Sequence, residues 1–479
     1  MRQAGLIVLL ALAPACASAA PLPDSRPAEG GTLTQSRAAQ VRLVTLKNGM
    51  QLLLAPDSTS AAVDVAVWFR AGSAYERAGI TGISHLFEHL MFRGSEHYGV
   101  EEHSRLVAAE GGSANAYTTP DYACYHQTIP PGALELVFRL EADRIGSLRL
   151  TAESVAAEKR AVRDEKRWRA QSEPGARLLQ RLNRLAWTGH PYRWPVIGLD
   201  EDLERITLAD CRKYFADHYG PGNALVTVVG GFDPDEALDA AKRWFEPLKR
   251  RQVPSAAPPA EPAQKTGRRS VERMDMPFPI LLVGWKVPGR GDPDTPALAL
   301  LARILAAGPA ARLQRALVSG PGKCLSVQGG VDGRRDSGLL YVLAGVRPGS
   351  DSTEVERVLD EEVEKLARDP VGDDELDRAR RQEEINTLLA WQTPHGRAEA
   401  LGTGLLLAGD HRAAALRLER LRQLTAADLQ RAAARLLGAA GRNVLWIMPE
   451  KEPGLPGEKS GGSGGNRPGF GSPPSEGGR

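Results

Sequence analysis

The chain has 479 residues, with 61 lysines and arginines against 59 aspartates and glutamates and a formal charge of +2. Such a length exceeds one ordinary core and favours two domains of roughly 200 residues each. The near-neutral balance, with no basic stretch interleaved with aromatics, excludes a dedicated nucleic-acid binder.

Residues 1–19 read as a secretory signal. Arg2 supplies the positive start, residues 5–13 form a short apolar run, and Ala17-Ser18-Ala19 offers a cleavage site. That run is too short to span a bilayer, and no later segment is apolar enough to do so. The expected location is therefore the periplasm or the exterior of a bacterial cell. Cys16 leaves a lipoprotein as the lesser alternative, since Ala13 stands three residues before it where leucine is usual. Cys124, Cys211 and Cys324 are odd in number and widely spaced, which excludes a disulfide framework or a cysteine metal site. Each is expected to be a small buried apolar residue.

Residues 20–40, rich in Pro, Gly, Ser and Ala, read as a flexible lead-in. A hairpin is expected next, with strands at 41–46 and 50–55 around Lys47-Asn48-Gly49. Residues 61–69 read as a further strand. The stretch Gly82-Ile83-Ser84-His85-Leu86-Phe87-Glu88-His89-Leu90 then carries an H-x-x-E-H pattern, the inverted zinc-protease motif. On a helix His85 and His89 project from one face a turn apart, and Glu88 stands beside them where it can reach a water held at a shared metal. The apolar residues around them indicate a buried helix.

Residues 100–109 read as helix. Gly111 to Thr119 and Asp121 to Ile129 are β-prone, and 133–147 and 152–170 are helical. The second of these helices carries Glu158 and Glu165, two turns apart and so on one face. Taken alone, the pair fits a solvated charged face among Lys159, Arg160, Arg163 and Lys166. A zinc ion held by two histidines, however, needs a third protein ligand. The same domain continues through 177–187, and helices at 207–219 (Thr207 as N-cap, Asp210 completing a capping box) and 234–245 enclose a strand at 223–229.

Residues 250–269 read as a linker, after which the order of elements repeats. Strands are expected at 278–287 and 338–346, helices at 295–307, 352–368, 373–390, 398–407 and 425–437, and a closing strand at 443–448. The second half lacks H-x-x-E-H. The division expected is a zinc-binding catalytic domain at 41–249, a non-catalytic homologous domain at 270–450 and a disordered Gly/Pro/Ser-rich tail at 451–479.

Across residues 41–448 the chain resembles the pitrilysin, insulinase and mitochondrial processing peptidase family of zinc metallopeptidases. In that family the motif is followed about 75 residues later by a glutamate ligand, with another glutamate seven residues before it. Here the separations are 165 − 89 = 76 and 165 − 158 = 7. His89-Leu90-Met91-Phe92-Arg93-Gly94, Asn115-Ala116-Tyr117-Thr118, His190-Pro191-Tyr192 with Ile197-Gly198, and Tyr219-Gly220-Pro221-Gly222-Asn223 resemble further family landmarks.

The resemblance implies an α+β fold of two similar domains, each with helices packed on a mainly antiparallel sheet. It implies one zinc ion on His85, His89 and Glu165, Glu88 as general base and then general acid, and Glu158 orienting a histidine ligand. It also implies peptide held by strand addition at Asn115, Ala116 and Tyr117. The activity implied is a zinc-dependent endopeptidase, the alternative being a metal-binding but non-catalytic scaffold subunit. Family members usually carry an Arg and a Tyr seven residues apart in the second half, and Val318 and Leu325 occupy those places here. The expected partner is therefore a related metal-free subunit in a heterodimer, with a homodimer as the weaker option.

Overall fold

Val63-Asp64-Val65-Ala66-Val67-Trp68-Phe69 is buried at every position. A strand buried on both faces needs a layer on each side, and the second half of the chain supplies one of them. The computed structural model describes residues 41–251 and 257–450. The expected signal, lead-in and C-terminal tail lie outside the described residues.

The first sheet holds β1 (Arg42–Thr45), β2 (Gln51–Pro56), β3 (Val63–Phe69), β4 (Ser113–Thr118), β5 (Ala123–Ile129) and β6 (Ala224–Gly230). Their spatial order is β1-β2-β6-β3-β5-β4. The second sheet holds β7 (Arg268–Met274), β8 (Ile280–Pro288), β9 (Cys324–Asp332), β10 (Ser337–Val346) and β11 (Arg442–Pro449), in the order β7-β11-β8-β10-β9. Without β1, the two orders coincide. Each sheet has one parallel pair, β2 with β6 and β7 with β11, and is otherwise antiparallel. The fold is α+β, two sheets of one design layered with helices.

The helices of the first half are α1 (Ile83–Leu90), α2 (Glu102–Ala109), α3 (Leu134–Ser147), α4 (Ala152–Ser172), α5 (Pro174–Ala186), α6 (Asp200–Arg205), α7 (Leu208–His218) and α8 (Pro234–Phe245). Those of the second are α9 (Thr295–Leu305), α10 (Ser352–Arg368), α11 (Asp373–Ala390), α12 (Pro394–Ala408), α13 (Ala413–Gln423) and α14 (Ala426–Leu436). Thr207 caps α7 with Asp210, and Thr425 caps α14 with Asp428, as the matching capping boxes require.

Each half lends a helix to the other's sheet. Leu178, Leu182 and Ala186 of α5 pack on Ile280, Leu282, Leu339, Leu445 and Ile447 of the second sheet. Ala398, Leu401 and Leu407 of α12 pack on Ala66, Trp68, Cys124, Leu225 and Val229 of the first. Each fully buried leucine in these seams contributes about 2 kcal/mol of apolar burial. Gly402 marks the closest approach, since a Cβ there would lie 2.7 Å from the Trp68 ring.

The elements that escape the sequence periodicity include α6, β7, β9 and α13. Strand β7 (RRSVERM) carries charge on both faces and leaves Val271 exposed, and β9 (CLSVQGGVD) has two glycines, so both lack a clear apolar pattern. Helix α12 starts at Pro394 rather than Ala398, because the Thr393 hydroxyl accepts from the Gly396 amide at 3.0 Å and Pro394 suits the first turn. The three cysteines Cys124, Cys211 and Cys324 are buried and free.

Candidate metal centre

Helix α1 is built to be held still. Ile83, Leu86, Phe87 and Leu90 are buried in the first core. Its amino end begins at Gly82 with φ 90°, and a side chain there would meet the backbone of Ile197 and Gly198 at 2.8 Å. The buried Glu76 carboxylate accepts from the amides of Gly82 at 2.8 Å and Ser84 at 2.9 Å, satisfying two free donors of the first turn. The Ser84 hydroxyl meets Tyr214 of α7 at 2.8 Å.

Across from it runs α4, 21 residues long. The two helices bring together His85, His89 and Glu165, whose nearest ligand atoms lie within 4.8 Å of one another. Oε2 of Glu165 is 3.7 Å from Nε2 of His85 and 3.3 Å from Nε2 of His89. Nδ1 of His89 donates to Oε2 of Glu158 at 3.1 Å, and the other Glu158 oxygen meets Nε of Arg93 at 2.5 Å. Glu165 is also paired with Arg169 one turn along. Glu88 lies beside the group, its Oε2 4.0 Å from Nε2 of His85 and accepting from the Thr118 hydroxyl at 2.7 Å.

These residues fit a zinc ion. Nε2 of His85 and Oε2 of Glu165 are buried and make no hydrogen bond among the described residues, an arrangement costly unless something takes both. Two imidazoles and one carboxylate are a donor set found in catalytic zinc sites. Burial pushes His85 down to about 4, so at neutral pH one ring nitrogen keeps its lone pair free for a ligand bond. Burial also pulls on His89, but the carboxylates of Glu158 and Glu165 outweigh it and lift the ring to about 9. A cation in place of that proton would answer the same two carboxylates. Burial raises Glu88 despite the Thr118 hydroxyl, which moves it toward the range useful for proton transfer near neutrality.

Strand β4 forms the far edge of the first sheet, paired only to β5 among the described strands. Glu88, His89, Arg93, Ala114, Asn115 and Ala116 line one open cleft beside it. The Ala116 amide is met by its neighbour's Asn115 side-chain oxygen at 2.9 Å rather than by β5, so it faces the free edge. Tyr117 is placed differently: its ring packs on Trp68 and Tyr122, and its hydroxyl donates to Glu399 of α12.

Glu76, Thr118, Arg93 and Arg169 join the site beyond the expected residues. Arg169 lies one turn after Glu165, and Arg93 and Thr118 stand within the two landmark segments; Glu76 is joined to the site by the fold alone.

The insulinase family model (peptidase family M16) matches residues 52–199, and the model of the M16 inactive domain matches residues 205–383. A zinc protease, PqqE of Helicobacter pylori, is 31% identical over 350 residues, covering 72% of this chain and 78% of that protein. The chain belongs to the insulinase family, peptidase family M16. An uncharacterized zinc protease of Streptomyces coelicolor is 25% identical over 86% of this chain and 91% of its own. Among solved structures, a protease from Helicobacter pylori superposes with a TM-score of 0.80 at 27% identity, covering 85% of this chain and 99% of that one. A peptidase M16 inactive domain from Pseudomonas fluorescens, at 19% identity and TM-score 0.77, shares the fold. Membership in the M16 family, with relatives named as zinc proteases, supports a peptidase-type function. Among the described residues no helix is long and apolar enough to cross a membrane.

Proposed function

We propose that this M16 member is a zinc-dependent endopeptidase acting on peptides or unfolded segments, exported to the periplasm or cell exterior. One observation carries the proposal. A half-buried carboxylate that is no part of the ligand trio, Glu88, stands 4.0 Å from a ligand histidine beside an open strand edge. A site that only stored metal would need no such group.

His85, His89 and Glu165 would hold the ion, which when bound supplies Lewis-acid polarisation of the scissile carbonyl and an acidified water. Glu88 accepts the proton of the attacking water and returns it to the departing amine. Thr118 holds the Glu88 carboxylate toward the cleft through its 2.7 Å hydrogen bond. Glu158 keeps Nδ1 of His89 protonated, leaving Nε2 as the ligand atom. The free edge of β4 takes substrate as an added strand, with the Ala116 amide as one donor, a mode that reads backbone more than side chains.

Val318 packs partly buried against the second core, and Leu325 is exposed. Neither offers a hydrogen bond to substrate, which supports the reading that a related, metal-free subunit supplies these contacts in a heterodimer. The test compares wild type with Glu88→Gln for zinc content and peptide cleavage, with and without the related subunit of the same organism. Equal zinc, with cleavage by wild type and a loss of at least about 100-fold in the variant, is the expected result. Equal, negligible cleavage by both proteins in the subunit's presence would establish a scaffold instead. Full activity of the chain alone would remove the heterodimer.

A further inference from the structure

A second cluster of ligand-bearing side chains lies on the opposite face of the first sheet, where α12 of the second half covers it. Asp64 of β3, His126 of β5 and His395 in the first turn of α12 bring their ligand atoms within 4.8 Å of one another. Asp64 stands across from Thr128, two residues along β5 from His126, so Asp64 and His126 share a sheet face. Asp64 is fully buried. Its Oδ2 accepts from the Thr128 hydroxyl at 3.0 Å and lies 3.1 Å from Nδ1 of His395. The rings of His126 and His395 stack with centroids 4.1 Å apart.

A plain Asp64–His395 ion pair accounts for only part of this. Oδ1 of Asp64 and Nδ1 of His126 are both buried and have no hydrogen-bond partner among the described residues. Each such orphan is costly, and a carboxylate fully removed from water is the costlier of the two. One cation would answer both. We propose that Asp64, His126 and His395 form a second, structural site for a first-row divalent cation such as zinc, which ties the two halves of the chain together.

The donor set is two imidazoles and one carboxylate, suited to zinc and its neighbours rather than to calcium or magnesium. A tetrahedral zinc ion spaces its N and O ligands about 3.4 Å apart, so the ligand atoms, now within 4.8 Å of one another, would draw together by up to about 1.4 Å. Glu399, one turn after His395 on α12, lies 4.0 Å from Nε2 of that ring. It stands where a carboxylate would orient the ring through the nitrogen that does not ligate. The site has a mechanical consequence. Two of its ligands come from strands of the first half and one from a helix of the second. His126 lies directly across from Asn115 of β4, and Glu399 takes the hydroxyl of Tyr117 on the same strand. The cation would therefore pin α12 beside the strand proposed to carry substrate.

The test uses the full chain, stripped with chelator and dialysed against Zn²⁺, with bound metal measured per chain. His85→Asn/His89→Asn should retain one equivalent, and adding His395→Asn to it should remove that equivalent. In the His85→Asn/His89→Asn protein, Zn²⁺ a hundredfold above its Kd should raise the melting midpoint by roughly 3 °C, because only the folded chain presents the three ligands together. The proposal is overturned if His85→Asn/His89→Asn binds no metal and its midpoint is unmoved. It is equally overturned if the bound equivalent persists after His395→Asn, which would mark adventitious binding. His395 is partly exposed, so its replacement tests the site without opening the core, and Zn²⁺ binding by His85→Asn/His89→Asn decides the matter should that replacement unfold the chain. Because the His85 centre is already disabled in both proteins, failure here leaves the reading of that centre untouched.

Discussion

Glu158 touches no expected substrate, yet replacing it should weaken the metal centre. In Glu158→Gln the amide oxygen can still accept from Nδ1 of His89, now 3.1 Å from the carboxylate, so shape and that hydrogen bond survive while the charge and the acceptor for Arg93 are lost. Residues that orient metal-bound histidines change affinity by roughly 10- to 100-fold when altered. Here Arg93 sits 2.5 Å from the other carboxylate oxygen and already offsets much of the charge. The expected loss is therefore at the lower end, about tenfold in zinc affinity or about 1.4 kcal/mol. Glu165→Gln, which removes a ligand oxygen's charge, should cost far more. Competition against a chromophoric chelator at neutral pH measures both. Affinity of Glu158→Gln within twofold of wild type would refute the reasoning, and so would a loss as large as that of Glu165→Gln.

Three further outcomes follow from the structure. Ala116→Pro removes an amide that faces the open edge of β4 rather than β5. It should lower kcat/KM about fivefold, one hydrogen bond of about 1 kcal/mol, at unchanged zinc content; unchanged kinetics would move substrate elsewhere. Gly402→Ala drives a methyl to 2.7 Å from the Trp68 ring and should destabilise by roughly 1–3 kcal/mol despite the better helix propensity of alanine. A neutral or stabilising result in denaturant titration would mean that α12 can shift on the first sheet. For pH, Glu261 is the informative group. Burial would raise it, but the amides of His190, Gly189 and Thr188 and the Lys286 ammonium prevail and hold it at about 2. Its folded value is below the unfolded value of about 4.3, so its contribution is present above that pH and is lost as pH falls toward 2. The denaturation midpoint should fall across that window, and Glu261→Gln should flatten the fall; identical slopes would exclude Glu261 as a source.

The chain by itself determined the elements that carry a period and the candidate ligands that carry a spacing. His85, Glu88 and His89 share one helix, so 3.6 residues per turn places them without further information. Glu158 and Glu165 lie two turns apart on another, and two histidines demand a third ligand. What helix geometry could not supply was the meeting of the two helices, which depends on packing in the first core. Thr118, Glu76 and Arg93 take their places by that packing. So does Tyr117, which alternation along β4 turns away from the α1 side and toward α12. The strands β7 and β9 were hidden because charge and glycine mask their alternation, and only pairing with β11 and β10 defines them. The exchange of α5 and α12 between halves, and with it the meeting of Asp64, His126 and His395 across 331 positions of sequence, belongs to tertiary structure alone. No local rule links residues so far apart; burial of the two sheet faces brings them together.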